Sequence, residues 1–274
     1  MKRIMLRVAY DGTEYCGWQQ QPNGITVEGV LNCELSSLLK EEIEVIGASR
    51  TDAGVHAHGN VCVFDTKSRI PGEKFSSALN SYLPGDICVQ ESREVAPDFH
   101  PRHCECNKTY EYQIYNATFP NPLFRRYTHF LYRPLDVAAM QRAAGYLVGE
   151  HDFKSFCSVN TQVKETVRRV NFLEVSEERA DFGRSVNLGK EFESVNNFHP
   201  RLITIRINGN GFLYNMVRII AGTLIEVGYH KREPESLAEV LAACDRRTAG
   251  QTAPACGLTL MEIQYNCSFI VRNL

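Results

Sequence analysis

The run Arg50-Thr51-Asp52-Ala53-Gly54-Val55-His56-Ala57 sets a carboxylate two residues from a guanidinium, in a stretch that Gly54 allows to turn tightly. A neighbouring arginine favours the ionised form of an aspartate. Asp52 therefore suits a nucleophile or a base and not a general acid. The same residue types also suit an Asx turn that caps its own loop, and composition alone leaves both open. A second feature is the aromatic run Tyr110-Glu111-Tyr112-Gln113-Ile114-Tyr115, which follows Lys108 and the basic pair Arg102-His103. Tyrosines beside positive charge can stack an unpaired base, although tyrosine is equally an ordinary strand former. Tyr110, nearest the basic residues, is the one to single out. Third, Arg218 lies within the apolar run 212–222, where a charge is costly unless paired. Asp52, Glu226 or water reached by snorkelling could each resolve that cost.

His100-Pro101-Arg102-His103-Cys104-Glu105-Cys106 crowds four possible zinc ligands into seven residues, but no second ligand pair follows at zinc-finger spacing. No P-loop, dinucleotide fingerprint or HExxH is present. His56, His58, His129 and His151 fall on no triad or metal spacing. Trp18 sits in a turn-rich loop and could pack the fold or touch a ligand; packing is the expectation.

These residues need elements to hold them. Alternation in Ile4, Leu6, Val8 and Tyr10 predicts an opening strand ended at Asp11-Gly12. Helical spacing of Val27, Val30, Leu31, Leu35, Leu38 and Leu39 predicts a helix with Thr26 as N-cap. Val45-Ile46 begins a short strand broken at Gly47, and the polar loop 49–54 feeds a strand centred on residues 61–64. A helix carrying Phe75, Ala78, Leu79 and Tyr82 and a strand over 87–95 complete an α+β pattern. The second half repeats it loosely: a strand through Tyr110, Tyr112 and Ile114, a helix over 137–148, strands over 170–175 and 202–207, a long helix over 212–227 with Gly228 just past its end, a helix opened by Pro234, and a closing strand over 258–265. The boundary is expected near residue 105, giving domains 1–105 and 106–274. The polar segment 176–200 reads as a long excursion between two strands.

Bulk properties bound the reading. Over 274 residues, 43% hydrophobic and 23% charged content exclude a disordered, collagen-like or coiled-coil protein. No apolar run reaches the roughly 18 residues that a membrane-spanning helix needs. Arg7 interrupts what would be the core of a signal peptide, so a cytoplasmic protein with reduced cysteines is expected. Thirty basic against 32 acidic residues give a charge of −2, without the overall basicity of many nucleic-acid binders; local clustering decides that question instead.

Taken together, Ala9-Tyr10-Asp11-Gly12 with Gly17-Trp18-Gln19, the run 50–57, Phe99-His100-Pro101-Arg102, Lys108-Thr109-Tyr110, Gly149-Glu150-His151-Asp152-Phe153 and the run 212–222 closely resemble the TruA family of tRNA pseudouridine synthases, across nearly the whole chain. The resemblance implies two similar α+β domains with antiparallel sheets flanked by helices, enclosing an interdomain active-site cleft. It implies Asp52 as the catalytic aspartate, Tyr110 as the aromatic that stacks on the target uracil, Arg50 as the arginine that helps flip the nucleotide, and Arg218 as the aspartate's partner. Arg102, Lys108 and Arg168 become substrate-binding residues. The family isomerises uridines at positions 38, 39 and 40 of the tRNA anticodon stem-loop as a homodimer, with neither cofactor nor metal. His58 and Asn60 depart from the family's usual residues and are expected to leave the nucleophile unaffected. Basic residues near these segments imply phosphate contacts and an affinity that falls with salt. Two other readings remain: a catalytically silent RNA-binding protein on the same scaffold, and a zinc-dependent hydrolase built on His100, His103, Cys104 and Cys106.

Overall fold

The computed structural model describes residues 1–159, 165–180 and 199–266. They form two compact units, Met1–Thr109 with Thr259–Leu274, and Tyr110–Leu258.

In the first unit, strand β1 (Lys2–Tyr10) pairs antiparallel with β3 (His56–Thr66) and with β4 (Ile87–Val95). A two-residue strand, β2 (Ile46–Gly47), adds to β3. The alternation read from β1 has its expected outcome, since Ile4, Leu6, Val8 and Tyr10 are all buried. Leu31 and Leu35 of helix α1 (Val27–Leu39) are buried as well, and in helix α2 (Phe75–Asn80) the Phe75 ring stands edge-on to Phe64 of β3 at 5.4 Å. Thr26 caps α1 by accepting the Gly29 amide at 3.2 Å. Because strand side chains alternate between faces, Met5 falls on the other side of β1, against a smaller cluster of Val63, Val95 and Phe99. The last described strand, β10 (Leu258–Tyr265), also belongs here. It pairs in parallel with the start of β3, Thr259 opposite His56 and Leu260 opposite Ala57. The first unit thus takes in the closing strand that sequence order alone grouped with the second half, because these ladder bonds are made to β3.

Strand β5 (Cys106–Asn116) runs from the first unit into the second. There the strand order continues through β9 (Arg201–Gly209), β8 (Val167–Arg179) and β7 (Gly149–Asp152), with β6 (His129–Leu131) parallel to β5. Helix α3 (Val137–Gly145) packs on β8 and on helix α4 (Met216–Gly228), and α5 (Ser236–Ala243) follows. Tyr112, Ile114, Met140, Ile207 and Leu224 are fully buried.

The fold is α+β, with largely antiparallel ladders and two parallel pairings, β3 with β10 and β5 with β6. The helix expected from residue 212 starts at Met216, because Asn215 takes a left-handed φ of 61°. The interior of the 176–200 excursion, residues 181–198, lies outside the described residues; its flanks extend β8 and β9 beyond their expected ends. Among the described residues no helix is long and apolar enough to cross a membrane, and no group of three or more His, Cys, Asp or Glu is arranged to hold a metal ion.

Candidate active site

The loop carrying Asp52 connects β2 to β3 in the first unit, and its main chain is held from several sides. The Thr51 carbonyl accepts from the Trp18 amide at 3.1 Å, the Gly54 amide donates to the Tyr15 carbonyl at 3.2 Å, and the Val55 amide donates to the Asp52 carbonyl at 3.1 Å. Gly54 takes φ +78°, the left-handed turn anticipated from its type. The Gly54 and Val55 amides, the ones an Asx turn would address, donate to these main-chain oxygens and so help to fix the turn. Asp52 is half-buried, Arg50 is exposed, and Thr51 between them is buried. An exposed arginine and a partly shielded carboxylate on a backbone fixed by hydrogen bonds make a rigid mount for ionic chemistry at a surface.

The residues beneath this loop form a polar layer. The Tyr10 hydroxyl shares a hydrogen bond with Thr51 Oγ1 at 2.8 Å. Asn60 is fully buried on β3, and its Nδ2 donates to the Ser49 carbonyl at 3.0 Å and to Tyr10 Oη at 3.3 Å. Trp18 is likewise fully buried, its ring 5.9 Å from that of Tyr10, so packing is its observed role. Arg102 and Lys108 converge on the strand that leads into the loop. Arg102 Nε donates to the Gly47 carbonyl at 2.7 Å and Lys108 Nζ to the Ala48 carbonyl at 3.0 Å. Burial pushes the Lys108 ammonium below its ordinary pKa; Cys106 opposes that shift and Arg102 adds to it.

In the second unit, Tyr110 is buried on β5 with the ring of Phe212 edge-on at 5.3 Å. Phe212 follows Gly211, against which the Arg168 side chain lies, while Arg168 itself donates to the Glu165 and Val167 carbonyls. Arg218, in the first turn of α4, donates through Nε to the Ala253 carbonyl at 2.8 Å and through a terminal nitrogen to Asn215 Oδ1 at 2.9 Å. Glu226, one of its possible partners by sequence, is bonded by Arg232 at 2.8 Å. The structure therefore gathers Arg50, Asp52, Arg102 and Lys108 around one loop of the first unit. It sets Tyr110 and Arg168 around Gly211-Phe212 of the second, with Arg218 on the helix that follows. Among the proposed zinc ligands, the His100 and His103 rings lie against each other with centroids 4.0 Å apart. Sequence reading missed Tyr10, Thr51 and Asn60 as a unit; the available signal was a polar residue, Asn60, on a strand whose neighbours Val61, Cys62 and Val63 are apolar.

A family model described as tRNA pseudouridine synthase matches residues 7–103 and 143–266. Among curated proteins, the chain is 47% identical to tRNA pseudouridine synthase A of Brevibacillus brevis over 97% of its length and all of that protein's. It is 45% identical to the proteins of the same name from Ruminiclostridium cellulolyticum and Moorella thermoacetica, again over 97% of this chain and all of theirs. A loop that holds an aspartate beside an arginine, on an α+β scaffold matched over most of its length, defines an RNA-modifying isomerase class. The chain belongs to the tRNA pseudouridine synthase family.

Proposed function

We propose that this protein converts uridine to pseudouridine at positions 38, 39 and 40 of the tRNA anticodon stem-loop, with Asp52 as its catalytic carboxylate. The observation that carries the reading is the Asp52 loop: its main chain is held by Trp18 and Tyr15, and it carries the half-buried Asp52 two residues after the exposed Arg50. In the reaction the N1–C1′ bond breaks, the base turns, a C5–C1′ bond forms, the C5 proton leaves and N1 gains a proton. Atoms balance without an oxidant or reductant, and no cofactor or metal is invoked. An ionised carboxylate serves this chemistry by attacking the nucleotide or by removing a sugar proton.

Reaching a uridine in or beside a stem requires unstacking, at a cost of about a few kcal/mol. Arg50, exposed on the same loop, fills the vacated place in this reading, and Tyr110 stacks on the uracil and takes or relays the C5 proton. Arg218 is the arginine that the family resemblance assigns as the aspartate's partner. Arg102, Lys108 and Arg168 contribute positive charge toward phosphate. The protein acts in the cytoplasm, where its tRNA substrate is, as a homodimer. The test is tritium release from tRNA labelled at uridine C5. The parent protein should release tritium and Asp52→Ala should not, while still binding tRNA. Equal release from both would remove Asp52 from the chemistry; no release from either, with tRNA bound, would favour the silent RNA binder.

A further inference from the structure

Asn60 was expected to be incidental to the nucleophile, yet it is fully buried and its side chain faces the loop that carries Asp52. We propose that Tyr10, Thr51 and Asn60 form a positioning relay that fixes the height and direction of the Asp52 carboxylate, and that the Tyr10–Thr51 hydroxyl pair is its decisive contact. The proposal rests on the reading of Asp52 as the catalytic carboxylate.

Three observations carry it. Asn60 spans the base of the loop, with one amide donating to the Ser49 carbonyl and to Tyr10 Oη. Its Oδ1 accepts from the Val61 amide at 3.0 Å, which fixes which end of the side chain donates. Tyr10 Oη then meets Thr51 Oγ1 at 2.8 Å, on the residue that directly precedes Asp52. Both hydroxyl groups belong to buried side chains, Tyr10 at 5% and Thr51 at 7% exposure. In a buried setting a hydrogen bond is not readily exchanged for one to water, so this contact constrains geometry more than a surface bond would. The strands make the base rigid: β1 ends at Tyr10, which pairs with Ala57 of β3. Thr51 is pinned twice, at its side chain by Tyr10 and at its carbonyl by the Trp18 amide. With φ and ψ restrained there, the next residue's carboxylate inherits its direction. Positioning of this kind is worth much to catalysis, because a misplacement of about 1 Å can cost roughly 100-fold in rate. Tyr10, Thr51 and Asn60 touch no reacting atom in this account. They act through the backbone of Asp52.

The experiment is single-turnover tritium release from C5-labelled tRNA with enzyme in excess. It is run beside a tRNA binding assay and thermal unfolding, on Tyr10→Phe, Thr51→Val, their double variant, Thr51→Ser and Asp52→Ala. Phe and Val keep the shape of what they replace, and Thr51→Ser keeps the hydroxyl while losing a methyl, so lost hydrogen bonding is separated from disturbed packing. Tyr10→Phe and Thr51→Val should each slow release by about tenfold or more. Their tRNA affinity should stay within about twofold of the parent, and the double variant should be no slower than the slower single, because both changes break one contact. Thr51→Ser should release close to the parent rate. Unchanged release in both singles, losses that multiply in the double, or losses confined to affinity would each overturn the relay. Release retained by Asp52→Ala would instead overturn the reading of Asp52, and the relay with it. Loss there, combined with unaffected hydroxyl variants, removes the relay alone.

Discussion

At the scale of single residues, the hydroxyls of Tyr10 and Tyr110 have different surroundings and should respond differently. Tyr10 lies under the loop and bonds Thr51; Tyr110 sits on β5 with its ring edge against Phe212. Removing the Tyr110 hydroxyl leaves the ring and its Phe212 contact in place. Tyr110→Phe should therefore bind tRNA as the parent does, while tritium release slows by roughly 10²- to 10⁴-fold, the usual contribution of a placed acid–base group. Binding and release measured on the same preparation decide it: a release rate equal to the parent's would leave Tyr110 only a stacking surface. Legibility at this scale was uneven for a physical reason. The turn that carries Asp52 was readable because it has its own local signals, an arginine two residues before the aspartate and a glycine two after, and Gly54 does take the left-handed φ. The support under it was not, because Tyr10 meets Thr51 across 41 residues and Asn60 across 50. Residue types predict that a buried amide has partners; they do not say which ones.

At the scale of elements, α4 shows how a helix can carry an arginine through an apolar setting. Its carbonyl at Arg218 accepts the Ala253 amide at 3.1 Å, and the guanidinium returns to the Ala253 carbonyl, so helix and strand-like segment 250–253 are joined twice. Thr223 adds a third link by accepting the Gly250 amide at 2.9 Å. Gly222 permits this approach, since a Cβ there would overlap the Gln251 carbonyl. Alanine normally favours a helix over glycine by about 1 kcal/mol. Here the sign should reverse: Gly222→Ala should destabilise the protein by roughly 2 kcal/mol or more and slow release as the Arg218 contacts shift. Chemical denaturation beside single-turnover kinetics tests this, and a stabilised, fully active variant would refute it. The start of α4 was misjudged from sequence because residues 212–214 are as apolar as the helix itself, and the left-handed turn at Asn215 has no signal in their pattern. The strand expected around an apolar core at 61–64 runs from His56 to Thr66; its early start had no signal, because His56, His58, Gly59 and Asn60 do not look like strand formers. By contrast, β4 and β10 match their expected ranges to the residue, since turn residues or an alternating apolar pattern mark both.

At the scale of the whole molecule, burial of weak acids sets how the protein meets alkali. Burial pushes the Cys62 thiol above its ordinary 9.0 and the phenols of Tyr15, Tyr112 and Tyr265 above 10.0; the Asp86 hydrogen bond adds to the shift at Tyr15. Each group has a raised pKa in the folded state, so the unfolded chain gives up its protons first. Stability from these groups is complete below the unfolded values and is lost as pH rises through 9 and 10 toward the folded ones. Lys108 runs the other way: burial lowers its pKa, so its charge is a cost that eases as pH climbs toward 10.5. These raised acids, joined by Cys106, Tyr115, Tyr229, Cys244 and Cys256, outweigh the lowered lysine. Denaturation midpoints should hold near neutrality and fall steeply above about pH 9, and Cys62→Ala should soften the first part of that fall. A midpoint constant to pH 10.5 would contradict the assignment of Cys62, Tyr15, Tyr112 and Tyr265 as neutral in the folded state.

The parallel pairing of β10 with β3 also bears on how such a protein comes into being. The strand that emerges from the Asp52 loop is made as residues 56–66, and the strand that flanks it only as residues 258–265. While the chain grows on a ribosome at about 5–20 residues per second, that edge of β3 waits for most of the elongation time. The β3–β10 ladder is therefore closed only after the second unit, Tyr110–Leu258, has been synthesised. An incomplete translation product should fail to display a working carboxylate to tRNA. On the proposed reading of Asp52, chain order acts as a safeguard in time: the edge of the strand that leaves its loop is covered only after the second unit has been made.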